Sequence, residues 1–190
     1  MGVSKTAREK QVEIEFLYLD LDVCTRCKGT DANLETALRI LQEVLRASGT
    51  NVSTRKMLVD SEETARKFNL LSSPTIRVNG RDIALKFRET PCDSCAGTCA
   101  CDGGVDCRVW DYEGVEYTEA PVPLIVIALL SEIYESQSSH HPAPNGPFEL
   151  SENLKHFFEA KAAKRAAVSC CAAEEKMSCC EPSEKSSCCG

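Results

Sequence analysis

Val12, Ile14, Phe16 and Tyr18 share one parity, and Leu17, Leu19 and Leu21 then fill the other. The pattern predicts a strand over residues 12–21 that is covered on both faces. After Cys24-Thr25-Arg26-Cys27, the apolar positions Leu34, Ala37, Leu38, Leu41 and Leu45 follow helical spacing. A helix is therefore expected from Asp31, with Lys28, Gly29 and Thr30 compatible with a loop and Gly49 ending it. Val52 to Val59 predicts a second strand. Asp60 or Ser61 then caps a short helix through Phe68, with Glu62 and Glu63 in its first turn.

Asn79-Gly80 signals a type I′ hairpin. Its second strand is expected over Asp82 to Arg88, with Ile83, Leu85 and Phe87 on one apolar face. Residues 92–107 form a cysteine-rich loop. Trp110, Tyr112, Val115 and Tyr117 flank Glu113-Gly114 as a second small hairpin. Pro121 and Pro123 open an almost wholly apolar helix to about Tyr134, which is expected to be buried. Residues 136–150 are a linker by composition. Ser151 caps a last helix over 151–168, with Leu154, Phe157 and Phe158 as a narrow apolar stripe. The polar segment 169–190 is too poor in large apolar residues to fold alone.

Composition narrows the chemistry. The 190 residues carry 13 cysteines and a formal net charge of -7. An acidic balance argues against a nucleic-acid partner, whose phosphates would be repelled. The polar start, Met1 to Glu13, and the shortness of the apolar run Val122 to Leu130 predict neither a secretory signal nor a membrane span. An odd cysteine count forbids complete internal pairing. The expectation is a cytoplasmic protein with reduced thiols engaged in metal or redox work.

The thiols fall into three groups. In the tail, Cys170-Cys171, Cys179-Cys180 and Cys188-Cys189 recur at a nine-residue step, each preceded by a serine. Neighbouring Cα atoms lie about 3.8 Å apart, under the roughly 4.4–6.8 Å usual for a disulfide. Each pair is therefore a clamp for one soft ion such as As(III), Hg(II), Cd(II), Cu(I) or Zn(II). As(III) favours three sulfurs, so a tail pair plus one thiol of the body suits it, whereas Hg(II) needs only two. The second group is Cys92, Cys95, Cys99, Cys101 and Cys107. Four of these five can close a structural Zn(II) site. The alternatives are a loop closed by disulfides, or an iron–sulfur cluster whose ferredoxin spacings this loop does not match. The third group is Cys24 and Cys27. At a helix N-terminus, Cys24 gains thiolate character and attacks a disulfide, and Cys27 resolves it. A helix that starts later makes the pair a two-thiolate metal ligand instead. His140 and His141, beside prolines in the linker, read as solvated residues rather than ligands.

Strand, CxxC, helix, strand, helix, then Ser73-Pro74-Thr75 entering a hairpin, resembles the thioredoxin superfamily over roughly residues 10–135. The resemblance implies an α/β, thioredoxin-like βαβ-α-ββα fold with a Cys-rich loop insertion at 92–107 and a disordered C-terminal tail. It also implies a cis Pro74 whose loop faces the CxxC and orients substrate. The intervening Thr25-Arg26 departs from the usual Gly-Pro or Pro-Tyr. The stretches CTRCKGTDANL, SSPTIRVNGRDI and CRVWDYEGVEYTEAP look like a prokaryotic family of thioredoxin-like proteins carrying a domain of unknown function. The tail is similar to the vicinal pairs of arsenic metallochaperones.

Two functions follow as expectations. One is a binding protein that sequesters or delivers a soft metal or metalloid, with As(III) or Hg(II) favoured, in heavy-metal or arsenic resistance. Its partners would be the ion and a metal-transporting ATPase, a repressor or a thiol reductase, and no organic cofactor is expected. The other is a thiol–disulfide oxidoreductase or thiol-dependent reductase acting through Cys24, Cys27 and Pro74.

Overall fold

A computed structural model describes residues 10–84, 86–95, 105–135 and 148–168. It is a mixed α/β structure with two sheets. In chain order the elements are β1 (Lys10–Tyr18), α1 (Thr25–Ala47), β2 (Thr50–Leu58), α2 (Glu62–Lys67), β3 (Thr75–Val78) and β4 (Arg81–Asp82). There follow β5 (Arg88–Pro91), β6 (Asp106–Tyr112), β7 (Val115–Tyr117), α3 (Val122–Glu135) and α4 (Glu152–Val168).

The first sheet has the order β2-β1-β3-β4. β1 runs parallel to β2 and antiparallel to β3, with Phe16 opposite Lys56 on one side and Ile76 on the other. The second sheet, β5-β6-β7, is antiparallel throughout. Asn79 and Gly80 both have positive φ, as do Glu113 and Gly114, so both expected hairpin turns form. Gly49 adopts φ +64 just past α1, the backbone conformation glycine reaches without steric cost.

The two parities of β1 serve two cores. Val12, Ile14 and Phe16 pack with Leu34, Ala37 and Leu41 of α1, Ile125 and Leu129 of α3, and Trp110 of β6. Leu17, together with Leu19 just beyond the strand, packs against Leu154, Phe157 and Phe158 of α4 and a group of buried cysteines. Burying each such side chain contributes roughly 1.5–3 kcal/mol, so both faces of one strand anchor the fold.

Two expectations need correcting. The hairpin arm after Asn79-Gly80 is not a strand to Arg88. It pairs only at Arg81 and Asp82, and Arg88 opens β5 in the other sheet. The cause lies at Asp82, whose Oδ1 accepts the Ala84 N–H at 2.9 Å and turns the chain away. The same carboxylate accepts both Nη atoms of Arg108, at 2.8 and 2.7 Å. The apolar helix α3 is also not buried all round. Ile125 and Leu129 are fully covered, whereas Ile127 is 50% exposed and Tyr134 67%. One face docks, and the other meets solvent.

The start of α1 differs too. The helix begins at Thr25 with Cys24 as N-cap, so Lys28, Gly29 and Thr30 are helical rather than a loop. Ser61 caps α2, and Ser151 Oγ accepts the Leu154 N–H at the start of α4. Among the described residues no helix is long and apolar enough to cross a membrane.

Arg108 is wholly buried, lying 4.5 Å from the Phe87 ring and 5.0 Å from that of Trp110. Its backbone N–H reaches Ser73 O at 2.8 Å, joining the second sheet to the first. Asp82→Ala would strand this guanidinium without its counter-charge, at a cost of about 3 kcal/mol. Urea denaturation should show the midpoint falling accordingly, while Glu43→Ala, in an exposed pair with Arg46, should leave it unchanged.

Candidate metal centre

Four thiols reach one point from three places in the chain. Cys24 follows a turn organised by Asp20, whose Oδ1 accepts the N–H groups of Asp22 and Val23 at 2.6 and 2.8 Å. Its sulfur takes the role usually played by an N-cap oxygen, accepting the Cys27 N–H at 3.4 Å. Cys92 and Cys95 lie on a tight turn just after β5. The Cys92 N–H bonds Val105 O at 2.8 Å, and the Cys95 N–H bonds Cys92 O at 3.0 Å. Cys107 lies on β6 opposite Thr90 of β5.

The Sγ atoms of Cys24, Cys92, Cys95 and Cys107 all lie within 4.8 Å of one another. The Cys95 and Cys107 sulfurs are 3.4 Å apart. A tetrahedral ion with metal–sulfur bonds of about 2.3 Å holds its sulfurs about 3.8 Å apart. The observed spread therefore brackets that of a tetrathiolate site. All four residues are buried, the most accessible at 3%. The described cysteines are free thiols. The set could hold a metal ion, and its all-sulfur, closed character suits a soft or borderline one.

Charge is divided unevenly among these sulfurs. The Cys24 thiol is held far below the ordinary thiol range because Cys107 first, then Cys27, Cys92 and Cys95, donate hydrogen bonds to it. Cys92 is drawn down to about 6, chiefly by donation from Cys107. Cys107 is pushed well up as the donor to Cys24 and then to Cys92. For Cys95, the bond with Cys107 works downward but is outweighed by donation to Cys24 and Cys92 and by burial, so this thiol also keeps its proton. At neutral pH the metal-free cluster thus holds two thiolates and two thiols.

The sequence-predicted residues are regrouped. Cys24 and Cys27 do share the first turn of a helix, but Cys27 stands outside the four-thiol set. Its sulfur lies 3.8 Å from Ser73 Oγ, and its thiol is raised by the bond to Cys24 and by burial. The Ser73–Pro74 peptide is cis, and it is the Ser73 hydroxyl of this loop that meets the Cys27 sulfur. Of the five loop cysteines, Cys92, Cys95 and Cys107 come together, while Cys99 and Cys101 lie outside the described residues. So do all six tail cysteines. The fourth thiol of the set, Cys24, is one that loop spacing alone does not join to Cys92, Cys95 and Cys107. Two CxxC motifs in one chain are the signal that could have joined them.

Asn153 of α4 also went unnoticed. Its side chain brackets Asp106, next to Cys107, accepting that residue's N–H at 3.0 Å and donating to its carbonyl at 2.8 Å.

A family model described as a domain of unknown function (DUF2703) matches residues 12–129, more than half of the chain. The chain belongs to the DUF2703 family. The DUF2703 match spans β1 to most of α3 and includes all four gathered thiols, whereas α4 and the tail lie beyond it. No curated protein and no solved structure matches the chain.

Metal binding by this DUF2703 centre should release protons, since four thiolates are required where two are present. Titration calorimetry with Zn(II) at pH 7.5, in buffers of different ionisation enthalpy, should give about two protons released per ion. Below about pH 6 Cys92 is protonated as well, so a third proton must leave and affinity should fall more steeply with acid. Proton release near zero would mean that these sulfurs are not the ligands.

Proposed function

We propose that this protein is a soft-metal-handling thiol protein on a thioredoxin-like scaffold. The observation that carries the reading is the convergence of four buried sulfurs within 4.8 Å. The sheet order β2-β1-β3-β4, with parallel β1 and β2, antiparallel β3 and the CxxC at the N-terminus of α1, supports the thioredoxin-like part. Cys24, Cys92, Cys95 and Cys107 hold a resident tetrahedral ion, best matched by Zn(II). When bound, that ion supplies cross-linking and charge neutralisation rather than a reactive position, because four protein ligands close its coordination.

The cargo is assigned to the tail. Its three vicinal cysteine pairs take up As(III) or Hg(II), which need fewer sulfurs than the body centre offers. The biological setting we infer is arsenic or heavy-metal resistance in the cytoplasm, with hand-over to a metal-transporting ATPase, a repressor or a thiol reductase.

Mass spectrometry under native, reducing conditions separates the two sites. The full chain should carry one Zn(II), and removal of residues 169–190 should leave that ion while lowering As(III) uptake. Cys107→Ser should do the reverse, losing the Zn(II) and keeping the tail's capacity. Unchanged As(III) stoichiometry after tail removal would refute the cargo assignment.

Thiol–disulfide exchange through Cys24 and Cys27 is the second reading, favoured by their shared helical turn and by the Pro74 loop facing them. It ranks lower because the Cys24 residue is fully buried and its sulfur is engaged by Cys92, Cys95 and Cys107 as well as by Cys27. If it is right, Cys24→Ser should abolish reduction of insulin disulfides while tail removal spares it.

A further inference from the structure

We propose that Arg26, assisted by Thr25, is a positioning residue that docks the Cys92, Cys95 and Cys107 half of the centre onto Cys24 and so sets its metal affinity. The inference rests on the metal-binding reading above. Arg26 stands two residues after Cys24 on the same first turn of α1, so ligand and clamp belong to one rigid element. Its Nη1 donates to Thr90 Oγ1 at 2.9 Å, Cys107 O at 3.1 Å and Thr90 O at 3.3 Å. Its Nη2 donates to Pro91 O at 2.6 Å.

Those acceptors are the backbone that carries the other ligands. Thr90 and Cys107 face one another across the β5–β6 ladder, and Pro91 immediately precedes Cys92. One guanidinium thus spans both strands at the rung that holds Cys107 and beside the turn that holds Cys92. Thr25 adds a second tie, its hydroxyl lying 2.9 Å from that of Ser94, between Cys92 and Cys95. The two residues inside the first CxxC therefore fasten the second CxxC. A planar fork with several fixed donors suits this task, whereas a lysine ammonium is a single point on a flexible stem.

Ligand sets held in place before binding lose less freedom when the ion arrives, and residues that orient ligands typically change metal affinity by about 10–100-fold. The test uses the reduced full chain with Co(II) as probe, since sulfur-to-cobalt absorption bands report the number of bound thiolates. Arg26→Met and Arg26→Lys should each weaken Co(II) binding by about tenfold or more and speed its loss to a chelator. Thr25→Val should show a smaller loss, and Arg39→Lys, on an exposed part of α1, none.

A purely structural role would instead lower the melting point of the metal-free chain and leave the Co(II) affinity of the folded protein unchanged. That outcome, or wild-type affinity in Arg26→Lys, overturns the proposal. Should Arg26→Met fail to fold, Arg26→Lys and Thr25→Val still decide. A wild-type chain that binds no Co(II) at all would remove the metal reading itself, which the variants alone cannot do.

Discussion

The packing of four sulfurs at the seam between two sheets is the constraint around which the rest of the molecule is arranged. Neither sheet is self-sufficient there. The second sheet is three short strands, and β7 is exposed along its length. It is joined to the first by a few specific ties. The Arg108 side chain grips Asp82, its backbone N–H meets Ser73, and the first turn of α1 reaches across with Arg26 and Cys24. Apolar burial alone is non-directional and would tolerate sliding of one sheet over the other. Hydrogen-bonded forks and converging thiols fix the register.

Much of the scaffold was legible because the local signals agreed with the global fold. β1 declared both faces through its two apolar parities, and each parity found its own core. Asn79-Gly80 and Glu113-Gly114 turned where left-handed backbone was required. What escaped was non-local. Nothing in the stretch after Arg81 announces that Asp82 will pair with a buried arginine 26 residues later and bend the chain. The composition of α3 says apolar all round, but only its contacts with α1 and β3 decide which face is covered. In the site, spacing within the loop favoured a closed set drawn from residues 92–107. Among the described residues, folding joins Cys92, Cys95 and Cys107 with Cys24, more than sixty residues earlier.

The C-terminal helix belongs with the centre despite lying outside the family match. Leu154, Phe157 and Phe158 share a core with the thiols, and Asn153 satisfies both backbone groups of Asp106. From Phe158 to the end of α4 at Val168 is about 15 Å along the axis, at roughly 1.5 Å per residue. The start of α4, not its end, is therefore the part packed on the core that holds the buried thiols.

The electrostatics favour binding over exchange for Cys24 at this helix N-terminus. Four thiolates around a divalent ion keep a net charge of about -2, which is costly to bury unless donors face it. The N-terminus of α1 supplies one such donor, with the Cys27 N–H directed at the Cys24 sulfur. Arg26 brings a full positive charge to the carbonyl of Cys107. In a solvent-accessible site the same dipole and cation would leave an activated thiolate ready to attack. Here the Cys24 sulfur is buried among three further sulfurs, so the stabilised charge faces other protein thiols rather than solvent.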